Sequence, residues 1–283
     1  VRDVTGDEQA DVVSFTRGAP GTVSVAKNNH ASVRNWIFDL DAMNNPDQNE
    51  SNGDDPYFVL IGFRTTVGRA GSTQVVWGGD VREIFTNLPQ NTFALIPDAM
   101  GRITFTGINR LSFQTPAVNP QVTFVNGVSN VELFGVFIAA LESDATPDSL
   151  VSALANATVS RLRQILRNNV ETIVARNLPE LFSQLQTRMA TVKVQADSSF
   201  LEEFAIAVAS AGDPDDPIGM DLRAFINVDK TVPDFLNIFI PAPLSLVRER
   251  LYIFPPAGVP GEITFSGDAT RWVAAGTMRS VRP

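Results

Sequence analysis

From Asp11 to Ala139 the chain is punctuated rather than helical: short runs of β-branched and aromatic residues stand between clusters of Gly, Pro, Asn and Asp. Turn signals that recur at roughly eight to twelve positions between such runs are the mark of sandwiches and barrels. The pattern predicts strands at Val12 to Phe15, Thr22 to Lys27, Val33 to Leu40, Tyr57 to Thr66, Gln74 to Trp77, Thr92 to Ile96, Arg102 to Phe105, Gln121 to Val125 and Val131 to Ala139. Several alternate, as where Ile103 and Phe105 fall on one side and Thr104 and Thr106 on the other. Gly68-Arg69-Ala70-Gly71-Ser72 reads as a hairpin turn between two of these runs.

The period then changes. Thr146 offers an N-cap oxygen, Pro147 stands where a missing N–H is harmless, and Asp148 meets the positive end of a helix. Val151, Ala155, Val159, Leu162, Leu166, Val170 and Ile173 follow on one stripe at helical period, with Ser160, Gln164, Arg167 and Glu171 opposite. Asn177 and Pro179 interrupt the stripe, and Pro179 suits the first turn of a second helix running to about Arg188. Strand signals resume at Thr191 to Ala196, Glu203 to Ser210, Asp221 to Val228, Phe235 to Ile240, Arg250 to Phe254, Glu262 to Phe265 and Arg271 to Met278.

These elements predict an α+β protein, predominantly β, with antiparallel sandwich-like sheets around a central two-helix insert. Two layouts fit: two β lobes, or one long sandwich with the helices packed on a face. The expected organisation is a β-sandwich-like region at 1–144, a helical segment at 145–190 and a C-terminal β region at 191–283 that packs with the first. Glu132, Phe134, Val136, Ile138 and Ala139 echo Glu202, Phe204, Ile206, Val208 and Ala209, as two related β modules would.

Composition narrows the function classes. With 283 residues and 44% apolar positions the chain can bury a core without disulfide or metal staples. It has no Cys, which removes thiol catalysis and thiolate metal sites. The net charge of -9 argues against nucleic acid as a partner, because phosphate binding needs a positive field. The longest apolar run, Leu133 to Leu141, is far short of the roughly 20 residues of a membrane-spanning helix. His30 is the single histidine, so a His-pair metal site is impossible and a Ser-His-Asp triad would have to use it.

The remaining chemistry is acidic. The segment from Asp39 to Asp55 is dense in carboxylates and asparagines and reads as a long loop before the apolar run at Tyr57. A second acidic loop runs from Gly212 to Pro217. Hard oxygen donors at that density suit calcium, with Asp39, Asp41, Asp47, Asp54 and Asp55 from the first segment and Asp213, Asp215 and Asp216 from the second as candidate ligands. Ions could be shared between the two loops if both lie at one end of the sheets. The alternative is that both are solvated turns whose side chains bond their own backbone.

The expected function is that of a non-enzymatic structural or interaction protein, a self-assembling extracellular or virion-like subunit whose partners are copies of itself or other protein subunits. A secreted calcium-assisted ligand or carbohydrate binder is the second expectation. A carboxylate-based hydrolase comes third, because two acids in a sugar cleft call for more Trp and Tyr than the five present. Arg161, Arg163, Arg167 and Arg176 make the helical segment locally basic, a match for the acidic loops of a neighbouring copy.

Overall fold

The computed structural model describes residues 12–15, 23–26, 35–48, 51, 53–78, 87–96, 111–114, 131–143, 147–176, 178–209, 215–228, 244–246, 252–253, 263–267 and 270–281. Its centre is a sheet that is apolar on both faces. β4 (Pro56–Thr66) reads Tyr-Phe-Val-Leu-Ile-Gly-Phe without polar alternation, and every one of its residues is buried. Such a run belongs in a strand covered on both sides. It pairs antiparallel with β5 (Gln74–Trp77) through the turn at Gly68 and Gly71, both at positive φ, and with β8 (Val131–Glu142) on its other side. β8 in turn pairs antiparallel with β9 (Asp216–Val228), and β10 (Leu244–Leu246) adds to β9 in parallel.

Each face of this sheet meets a different layer. Tyr57, Val59, Ile61 and Phe63 of β4 and Leu133, Phe137, Ala139 and Leu141 of β8 pack against two helices, α1 (Asp148–Asn169) and α2 (Leu178–Val208). Phe58 and Leu60, with Phe134, Val136, Ile138 and Ala140, point the other way. There they meet Phe38, Leu40 and Met43 of β3 (Asn35–Asp47), Ile263 and Phe265 of β12 (Ile263–Gly267), and Trp272 and Ala274 of β13 (Thr270–Val281). These belong to a second sheet in the order β11 (Tyr252–Ile253), β13, β3, β6 (Thr92–Leu95), with β12 also on β13 and β7 (Leu111–Gln114) also on β3. β1 (Val12–Phe15) and β2 (Val23–Ala26) form a separate antiparallel pair. The fold is thus α+β and mostly β, and of the two layouts the observed one is a sandwich with helices on one outer face.

Three expectations are corrected. Thr191 to Ala196 and most of Glu203 to Ser210, expected as strands, lie inside α2, which runs to Val208 rather than stopping near Arg188. A strand-like alternation over six residues gave way to the longer stripe of Leu181, Leu185, Met189, Val192, Ala196, Phe200 and Phe204, all buried at helical spacing. The echo between Glu132–Ala139 and Glu202–Ala209 therefore pairs a strand with a helix and marks no repeated β module. The segment from Asp39 is not a loop either: β3 extends to Asp47, carried through Pro46 by a register shift against β13 between Arg271 and Val273. A bulge accommodates the N–H that Pro lacks. The strands expected at Arg102 to Phe105, Gln121 to Val125 and Phe235 to Ile240, the cap at Thr146, and His30 lie outside the described residues.

Candidate functional site

The antiparallel registers bring the two acidic segments to one end of the sandwich. Pro56 of β4 stands opposite Glu142 of β8, and Glu142 opposite Asp216 of β9, so Asp54 and Asp55 enter the sheet beside the start of β9. The Asp55 carbonyl accepts from the Ser143 N–H at 2.9 Å, joining the ends of β4 and β8. β12 closes the same end over β9: a side chain at Gly267 would sit 2.6 Å from the Ile218 carbonyl, which is why that position has none.

Asp54 is the centre of this end and is fully buried (0% exposed). Its backbone exchanges hydrogen bonds with Leu88, N–H to carbonyl at 3.1 Å and carbonyl from N–H at 2.7 Å. Gly53, at φ +106°, allows that approach, since a Cβ there would lie 2.6 Å from the Asn87 backbone. Asp54 Oδ2 accepts from the Trp272 indole N–H at 2.8 Å and from the Thr270 hydroxyl at 3.0 Å. The same hydroxyl lies 2.6 Å from the Asp47 carbonyl, so one proton serves two acceptors. Asp54 Oδ1 is buried and has no hydrogen-bond partner among the described residues. Asn45, also 0% exposed, donates from Nδ2 to that same Leu88 carbonyl at 3.3 Å, and its Oδ1 is likewise buried without a partner among the described residues.

The other acids divide. Asp47 is exposed and pairs with Arg271 Nε at 3.3 Å, a contact of small energetic weight in solvent. Asp55 Oδ1 accepts from the Asn87 N–H. Asp215 is buried and accepts from the Tyr57 hydroxyl at 2.6 Å, while Asp216 is half-buried at the start of β9. Asp41 is exposed on β3, six residues or roughly 20 Å of strand away from Asp47. Asp39 stands on the same strand opposite Thr277, with its side chain outside the described residues, as is Asp213 altogether. Among the described residues, no three acidic or histidine side chains converge as a metal cluster. Sequence reasoning missed Asn45, Thr270 and Trp272. The usable signal was the inward alternation of Thr270, Trp272 and Ala274, which aims two donors at whatever the neighbouring loop buries.

Comparison with known proteins returns nothing for this chain. It matches no family, no curated protein and no solved structure.

Two further charged arrangements lie away from this end. Glu171, just past α1, receives the Gly71 and Thr73 N–H groups at 2.8 and 2.7 Å and clasps the β4–β5 turn. Burial pushes its carboxyl up, but Thr73, Gly71 and the nearby Arg167 outweigh that and hold it below its ordinary value. Between α2 and β9, Lys193 Nζ reaches Asp197 at 3.1 Å and Asp221 at 3.5 Å, and Arg223 Nε reaches Asp221 at 2.6 Å. Burial raises the Asp197 carboxyl, Lys193 opposes this, and Asp221 adds to the rise.

Proposed function

We propose that the chain is a non-enzymatic structural or interaction subunit that self-associates through its exterior, in an extracellular or virion-like setting. The observation that carries this reading is the edge of the second sheet. β6 pairs with β3 on one side and has no second strand neighbour among the described residues. Its outward side chains, Phe93 and Leu95, are 67% and 71% exposed. An open edge carrying large apolar groups is a template for pairing with another strand. A second copy of the same chain presents the same edge, so two β6 strands satisfy each other by a two-fold contact. The exposed Val194 and Leu201, two helical turns apart on the outer side of α2, add apolar surface at a second place.

Sedimentation velocity and negative-stain microscopy across a concentration series test the reading. Wild-type protein is expected as dimers or larger particles, and Phe93→Ser with Leu95→Ser as predominantly smaller species of unchanged fold by circular dichroism. Wild-type monomers at every concentration would overturn it.

A further inference from the structure

We propose that Asp54 Oδ1 and Asn45 Oδ1 are ligands of a bound cation at the acidic end of the sandwich, and that calcium is the ion their chemistry fits. Two observations carry this independently of self-association. The first is that Asp54 is a fully buried carboxylate that, among the described residues, has no lysine or arginine paired to it and one oxygen without any donor. A buried carboxylate left in that state is costly, and the protein must either neutralise it or supply a positive charge. The second is that Asn45, on a different strand, buries an equally unsatisfied oxygen, and that the two side chains are anchored on the same carbonyl: Leu88 O takes both the Asp54 N–H and the Asn45 Nδ2–H. Two orphaned acceptors on side chains tied to one carbonyl call for a shared electropositive partner, where a single one would call for a stray water.

The donor set selects the ion. One carboxylate and one amide oxygen are hard ligands with no nitrogen or sulfur among them, and Asn45 cannot lose a proton to help a transition metal. With a single negative charge supplied by these two groups, affinity belongs to the weak extracellular class, about 0.1 to 1 mM. The donors on Asp54 Oδ2 fix the carboxyl plane: Trp272 and Thr270 hold one oxygen and leave the other as the ligand. Trp272 then stands within a few ångströms of the ion, which supplies a spectroscopic reporter.

The experiment uses the full chain, freed of divalent ions with EGTA. Calcium added at about ten times its Kd is expected to raise Tm by roughly 3 °C or more, with magnesium at equal ionic strength doing less. Asp54→Asn should abolish the calcium response. Terbium, in calcium's place, should emit on indole excitation and be displaced by calcium. Trp272→Phe should remove most of that emission, whereas Trp77→Phe should keep it. The terbium arm decides the matter even if Asp54→Asn does not fold. No calcium response in the wild type, an equal response in a folded Asp54→Asn, or full sensitised emission from Trp272→Phe would each overturn the proposal. Self-association that persists in EGTA leaves the proposed function standing, so the two readings fail separately.

Discussion

A single carboxylate shows how one residue ties two elements together, and Glu171 does so at the end opposite Asp54. Its two backbone donors come from the β4–β5 turn, and the turn also gives the Gly68 N–H to the Val170 carbonyl at 3.0 Å. Because the folded state holds Glu171 below its ordinary value of 4.5, its contribution is fully present above that pH and disappears as pH falls from there through the lowered value. Asp197 runs the opposite way: its carboxyl is raised above 3.8, so its contribution is present at low pH and is lost as pH rises through the raised value. Glu171→Gln should therefore lower stability by about 1 kcal/mol at neutral pH, with hydrogen bonds to a charged acceptor setting that scale. The gap between variant and wild type should close as the solution is taken from pH 6 to about pH 3, measured by urea unfolding at each pH. A gap that stays constant across that range would show that the amide oxygen, not the charge, holds the turn.

At the scale of elements, α2 carries the clearest energetic asymmetry. Phe200 is fully buried between Phe137 of β8, 5.7 Å away by ring centroids, and Phe204, stacked at 6.2 Å, while Val194 on the same helix is exposed. Phe200→Ala should cost about 3 to 5 kcal/mol through the cavity it leaves, and Val194→Ser less than about 0.5 kcal/mol, both read from denaturant midpoints. That contrast also explains what the sequence made legible. Strands with a strong apolar run or clean turns on both sides could be read: Gln74 to Trp77 has the observed bounds, and β4 and β8 are misplaced only at their ends. α1 could be read because its stripe is long and unbroken. α2 was cut short because Thr-Val-Lys-Val-Gln-Ala alternates like a strand over six residues, and only packing against β8 and α1 decides that the 3.6 period wins. β7 and β10 were not read: β10 is three residues directly after Pro241-Ala242-Pro243, which reads as a stop, and the four residues of β7 carry only two apolar side chains. Of the candidate site, the two acidic segments were legible as composition. Their meeting at one end depends on the β4–β8–β9 register, and the partners of Asp54 come from a strand more than 200 positions later, which no local pattern reports.

At the scale of the whole molecule, the described residues place a group of acids at one end of the strands and exposed arginines at the other. One end gathers Asp47, Asp54, Asp55, Glu142, Asp215 and Asp216 against Arg271, and α1 leaves from it. α1 ends at the other, beside the β4–β5 turn, where the exposed Arg69, Arg167 and Arg176 outnumber the Glu171 carboxylate, which keeps its charge while accepting from backbone N–H groups. Opposite charges at opposite ends favour head-to-tail approach of two copies, a heterologous contact that does not close on itself and so extends into chains. The sheet edge at Phe93 and Leu95 favours a closed pair instead, and salt separates the two because it screens exposed charges beyond about 10 Å at 0.1 M while strengthening apolar burial only modestly. If the ends direct assembly, particle size by light scattering should fall between about 20 mM and 500 mM NaCl, and Arg167→Glu with Arg176→Glu should reproduce the high-salt size at low salt. Size that holds or grows with salt, and is insensitive to those arginines, would place the contact at β6 and remove the charged ends from it.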